Sequence, residues 1–184
     1  IVGVLLFEYA LSTITSILNM NSITEDIPDG FQDYYDKDKY AKSQSYLKDK
    51  TRFGLLTGTF SLCITLVIIH AGLFGLLDDF VRVHSNHYIT SGLLFFGTLF
   101  ILNDVINLPF SIYGTFVIEE KYGFNKTTLR TFVSDKFKGY GLTIVLGSAI
   151  MVPLFYFFEA YGSNGWWIAW ALITGFMIAI QPLF

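Results

Sequence analysis

The chain has 184 residues, 53% of them hydrophobic and 18% aromatic, and a formal net charge of -3. That apolar share, with a positive mean hydropathy, exceeds what soluble domains carry and places the chain among membrane proteins. Its charges gather between apolar runs without the basic stripe of a nucleic-acid binder, and a single cysteine, Cys63, excludes a disulfide framework within the chain.

The first apolar run, residues 1–18, is just long enough to cross a hydrocarbon core, which takes roughly 20 helical residues. Glu8 is its one charge. A carboxylate at that depth is costly unless it faces a bundle interior or a watery cavity, so Glu8 is either a functional candidate or a structural partner nearer the surface. Residues 19–52 form a polar connection with a turn signal at IPDG, 27–30. Within it, 39–50 fits a short helix with Tyr40 and Leu47 on one face, which is either a segment lying against a membrane or a solvated linker.

The second span covers 53–77. Gly54 and Gly58 have the GxxxG spacing that admits a neighbouring helix and are read as a packing face. Cys63 reads as a small buried hydrophobe. His70 reads as a packing or interfacial residue, because no second metal ligand lies one helical turn away. Residues 77–88, LDDFVRVHSNHY, read as a short exposed loop, with His84 and His87 solvated.

From Ile89 an apolar helix runs to about Glu120, some 48 Å at roughly 1.5 Å per residue, well beyond a core of roughly 30 Å. It must break, tilt or protrude, and Pro109 supplies a break because it lacks an N–H and crowds the preceding turn. Asn103 and Asn107 share a face, with Asp104 beside them, and these polar groups are expected to point away from lipid, into an interhelical hydrogen-bond cluster or a polar chamber. Glu119, Glu120 and Lys121 mark the exit from the membrane, and YGFN makes a turn. Thr127 or Thr128 can then cap an amphipathic helix with Leu129, Phe132, Val133 and Phe137 on one face, which Gly139 ends. Residues 140–158 are the fourth span, with a tolerated Pro153. Trp166, Trp167 and Trp170 open the fifth, 165–184, as an aromatic belt.

The connections 19–52 and 119–139 hold 11 of the 12 Lys and Arg residues, the other being Arg82. Two spans separate them, so they share a side, and the positive-inside rule makes it cytoplasmic and the N-terminus non-cytoplasmic. The Asn125-Lys126-Thr127 sequon then lies on the wrong side for glycosylation. The expected fold is all-α: one polytopic membrane domain, residues 1–184, with five transmembrane helices and a cytoplasmic interfacial amphipathic helix. Both ends fall in apolar sequence, as expected of an excerpt from a longer polypeptide.

The stretch LPFSIYGTFVIEEKYGFNKTTLRTFVSDKFKG, 108–139, resembles the N-terminal membrane region of CAAX prenyl protease-type integral-membrane zinc metallopeptidases. The resemblance rests on Pro109, Thr115, Phe116, Glu119, Glu120, Lys121, Gly123, Phe124 and Asn125, with support from FEYAL at 7–11, KYAKSQSY at 39–46 and TRFGL at 51–55. The loop wording looks more like the bacterial members, which implies a bacterial inner membrane, or the endoplasmic reticulum or inner nuclear membrane in a eukaryote. In this family several helices enclose a water-filled intramembrane chamber, and an HExxH helix with a later Glu holds a zinc that activates water. No histidine here belongs to such a motif, so the resemblance carries over no catalytic or metal residue. It implies no cofactor in this chain and zinc in the full-length parent.

The expected function is therefore a non-catalytic membrane scaffold, inactive alone. Its partners would be the bilayer, the downstream catalytic region, and a peptide or protein substrate, prenylated or not. The alternative is a small channel or transporter subunit using Glu8, Asn103 and Asp104, which the lack of a repeat between halves disfavours.

Overall fold

The computed structural model describes residues 1–180; positions 181–184, the end of the expected fifth span, lie outside the described residues. Helix α1, Val2–Ser22, has 21 residues, or about 32 Å of helix, and Ile23 leaves it in extended backbone. The IPDG turn forms, with Gly30 at φ 85° and the Phe31 N–H donating to the Pro28 carbonyl. Asp36 then caps α2, Lys37–His70, its carboxylate accepting from the backbone N–H groups of Asp38 and Lys39 at 3.0 and 3.2 Å.

Helix α2 is continuous over 34 residues. The short polar helix expected near residues 39–50 is its first half, and the apolar span follows without interruption. That span ends at His70, not near residue 77: the chain turns through Ala71 and Gly72, the latter at φ 65°, and forms α3, Leu73–His84. The loop expected over 77–88 is thus helical as far as His84. Its charges sit one turn apart, and Arg82 Nε donates to Asp78 Oδ2 at 2.7 Å, an i,i+4 pair that supports a helix.

Helix α4, Tyr88–Tyr113, passes through Pro109 and runs directly into a π-helical segment, Gly114–Glu119. Pro109 does not break it. In lipid a terminated helix would leave several backbone groups unpaired, whereas one proline forfeits a single hydrogen bond. Tyr88–Glu119 is therefore 32 residues of near-continuous helix, about 48 Å, accommodated by tilt or protrusion and not by a break. Thr128 precedes α5, Leu129–Tyr161. The expected amphipathic helix is its first part, and Gly139 does not end it. A 3-10 turn, Gly162–Asn164, joins α5 to α6, Gly165–Ile180, which opens on the exposed Trp166, Trp167 and Trp170.

Among the described residues, four helices are long and apolar enough to cross a membrane: Val2–Ser22, Lys37–His70, Tyr88–Glu119 and Leu129–Tyr161. Many large apolar side chains face outward, among them Phe7, Leu18, Leu56, Val67, Val105 and Leu142. Cys63 is exposed rather than buried, and among the described residues no neighbouring element comes within 4 Å of a Cβ placed on Gly54 or Gly58, so neither glycine meets a close helix contact there.

Contacts divide the chain into two units, Ile1–Leu76 with Leu102–Thr128, and Leu77–Ile101 with Leu129–Phe184. In the first, the Tyr9 hydroxyl bonds the Thr59 hydroxyl at 2.6 Å, tying α1 to α2. Phe53 and Phe60 of α2 pack on Phe110 at ring separations of 6.2 and 4.8 Å. In the second, the buried Phe155 ring of α5 fills the space left by Gly92 of α4, beside Tyr88 and Phe96.

A Cβ on Gly92 would lie 2.7 Å from that ring. Gly92→Ala should destabilise the fold by about 1–3 kcal/mol through overpacking, and the penalty should nearly vanish in a Phe155→Ala background. Denaturant unfolding in mixed micelles measures both; equal costs in the two backgrounds would refute this contact.

Candidate functional site

The most densely bonded cluster joins the polar half of α2 to the end of the π segment. Tyr46, Asp49 and Phe53 stand at i, i+3 and i+7 and so share one face of α2. Against this face come Lys121, Tyr122 and Phe124. Lys121 Nζ donates to Asp49 Oδ2 at 2.6 Å, and the Tyr122 hydroxyl donates to the same oxygen at 2.7 Å. The Tyr46 ring meets Tyr122 and Phe124 edge-on, with centroids 5.5 and 4.9 Å apart, while Phe53 packs on Tyr113 at 5.0 Å. Tyr122 and Ile118 are among the few buried side chains. Lys42 lies 5.9 Å from the Phe124 ring centroid and Lys50 5.3 Å from that of Tyr46.

The residues that follow are folded by their own backbone. Phe124 and Asn125 N–H donate to the Glu119 carbonyl at 2.9 and 3.3 Å, and Gly123 N–H donates to the Glu120 carbonyl at 2.9 Å. Gly123 adopts φ 68°, a conformation any side chain would strain. Asn125 Nδ2 donates to Glu120 Oε2 at 2.9 Å while its Oδ1 accepts from Thr127 N–H at 2.7 Å. The Glu119–Asn125 stretch thus comes together as a self-bonded hook, with Lys121 and Tyr122 projecting onto Asp49.

This cluster lies outside the apolar stretch of α2 that begins at Phe53, and its charges titrate accordingly. Hydrogen bonds from Lys121 and then Tyr122 hold the Asp49 carboxyl below its ordinary value. The bond to Asp49 holds the Lys121 ammonium above its own. Tyr122 is pushed up by donating to Asp49 and, next, by burial.

The remaining candidates stay apart from the cluster. Glu8 is exposed on α1. Asn107 Nδ2 donates to the Asn103 carbonyl at 2.8 Å and to Asn103 Oδ1 at 3.1 Å, so the expected polar pair on α4 bonds within its own helix; Asp104 beside it is partly exposed. Pro109 lies one turn before the π segment. His70 and His87 are exposed, and His84 sits against Phe80 with Nδ1 2.8 Å from the Phe80 carbonyl. Among the described residues no three His, Cys, Asp or Glu side chains come together as a metal site. The cluster can clamp, orient and balance charge; it holds no activated nucleophile. Asp49 was not legible as its centre, and the signal that could have found it is the i, i+3, i+7 spacing with Tyr46 and Phe53.

Residues 16–184 match the family described as CAAX prenyl protease N-terminal, five membrane helices. The chain is 34% identical over 164 residues to the probable CAAX prenyl protease 1 of Schizosaccharomyces pombe, covering 82% of this chain and 35% of that protein. It is 29% identical over 176 residues to the human CAAX prenyl protease 1 homolog, covering 88% of this chain and 37% of that one. The crystal structure of S. mikatae Ste24p superposes with a TM-score of 0.82 at 25% identity, covering all of this chain and 45% of the other. The chain thus spans little more than a third of these curated relatives. All three are eukaryotic proteins, not the bacterial members that the loop wording led us to expect.

The clamp fixes a pH window. The stability contributed by Asp49 is complete above the ordinary carboxylate value of about 4 and is lost as pH falls through its lowered native value; that contributed by Lys121 and Tyr122 is complete below about 10 and is lost as pH rises through their raised values. The unfolding midpoint in micelles should therefore be flat between about pH 5 and 9 and fall on either side. Asp49→Asn should blunt the acid limb, and an unchanged limb would contradict the assignment. Tyr122→Phe, which keeps the ring, should cost roughly 1–2 kcal/mol.

Proposed function

The chain belongs to the CAAX prenyl protease N-terminal family, and on that premise we propose that it forms part of the wall of an intramembrane chamber and a scaffold for a zinc site supplied by other sequence of a longer protease. The observation that carries this reading is the Asp49 clamp. It fastens the signature stretch to α2 through polar bonds, yet offers neither a ligand set nor a nucleophile, as befits a brace for chemistry located elsewhere. The partial coverage of the curated relatives supports the same division of labour.

In this reading the zinc belongs to the parent protein, and the substrate is a peptide or protein, prenylated or not. Glu8, Asn103, Asp104 and Asn107 line the chamber. The clamp lies on the cytoplasmic side with the connections 19–52 and 119–139, and the N-terminus is non-cytoplasmic, as the Lys and Arg distribution favours. The eukaryotic relatives favour the endoplasmic reticulum or inner nuclear membrane over a bacterial inner membrane.

Purified alone and given zinc, the chain should cleave a prenylated CAAX-type peptide no faster than background, whereas the longer protein that includes it should cleave it; cleavage by the isolated chain would overturn the scaffold assignment. In the longer protein, Asn103→Leu with Asp104→Leu should lower cleavage several-fold while the unfolding midpoint holds. Unchanged proteolysis with unchanged folding would remove that face from the chamber.

A further inference from the structure

Between the membrane helices α2 and α4 the chain carries an amphipathic helix with one uncovered apolar stripe, and we propose that α3 is a bilayer-surface helix that beds this stripe into the interfacial zone of the leaflet where α2 ends and α4 begins. Residues 71–87 join two consecutive spans, so both ends of the connection meet the same leaflet. The 12 residues of α3 make about 18 Å of helix, enough to lie along a surface and far too few to cross one.

At about 100° per residue, Leu73, Leu76, Phe80 and Val83 form one narrow stripe, while Asp78 and Arg82 occupy the opposite arc and Asp79 borders the stripe beside Val83. Leu76, Phe80 and Val83 are 62%, 61% and 82% exposed, whereas Val81, a quarter-turn from the stripe, is 3% exposed and faces the protein. The helix therefore has three sides: one packed, one polar, and one apolar and bare.

Lipid is the occupant because the bare stripe continues a surface that already belongs to the bilayer. Val67, in the last turn of the α2 span, is 61% exposed, and the chain passes from there through the Gly72 turn into Leu73 and Leu76 within a few residues. The polar arc closes on itself through the Arg82–Asp78 pair at 2.7 Å. With Asp78, Asp79 and Arg82 as its formal charges, α3 has no cationic excess. Its anchoring is accordingly by apolar insertion and owes nothing to anionic headgroups, unlike basic surface helices.

The test uses the 184-residue chain carrying Cys63→Ala and reconstituted in phosphatidylcholine vesicles. Nitroxides are placed singly at Val83→Cys, Phe80→Cys and Arg82→Cys, with Leu76→Cys as an independent reporter should Phe80→Cys perturb packing. Oxygen should be the more effective relaxant at positions 76, 80 and 83 and a water-soluble nickel chelate at position 82, with the same pattern when phosphatidylserine is added. Nickel accessibility at every position would place α3 in water and overturn the proposal. Protection of Val83→Cys from both relaxants would mean that protein covers the stripe, and insertion only with phosphatidylserine would mean an electrostatic anchor; either result also overturns it.

Discussion

One carboxylate oxygen, Asp49 Oδ2, accepts from both Lys121 and Tyr122 across more than 70 residues of sequence. Most other polar bonds in the chain are local, between residues on the same turn of helix. This convergence lets the polar extension of α2 and the end of the π segment act as one piece, because a bond to an ionised acceptor is worth roughly twice a neutral one. It also explains why the aromatic contacts follow the same face. Tyr46, Phe53 and Phe60 lie seven residues apart, and each meets a ring from the region between Phe110 and Phe124. The charged pair sets the position at one end, and ring packing carries it down the helices.

Beyond that seam, stability in this region cannot come from a core in the usual sense. Val81, Ile118, Tyr122 and Phe155 are its buried hydrophobic side chains among the described residues. The outward-facing leucines, valines and phenylalanines are matched to a solvent of hydrocarbon, in which backbone satisfaction and close packing decide the fold and burial from water decides little. The long helices follow from the same constraint: each keeps its hydrogen bonds internal.

This accounts for what could be read from the sequence. The apolar runs, the IPDG and YGFN turns and the 108–139 signature were legible directly, and the all-α class follows from the apolar runs. The rest was obscured where soluble-protein rules were applied to membrane helices. Pro109 and Gly139 are strong stops in water, where a freed carbonyl finds a partner, and weak ones where none is available. The charges of 77–88 looked like a loop because Asp78 and Arg82 satisfy each other along a helix. Cys63 and the Gly54–Gly58 pair looked like packing features, but no neighbour in the described structure reaches the glycines. Asp49 was hidden because its partners are distant in sequence, and a single carboxylate among nearby lysines resembles any solvated surface.

The π segment Gly114–Glu119 acts as a phase setter. Widening the hydrogen-bond pattern from four residues to five advances the chain without the full angular step that each residue of an α-helix makes. Every side chain beyond it is thereby aimed about one residue, or roughly 100°, away from where an uninterrupted helix would aim it. Lys121 and Tyr122 owe their bearing on Asp49 to this offset. A stretch of the same length between Pro109 and Glu119 that wound as plain α-helix would therefore swing the hook off its partner while leaving every contact residue in the sequence.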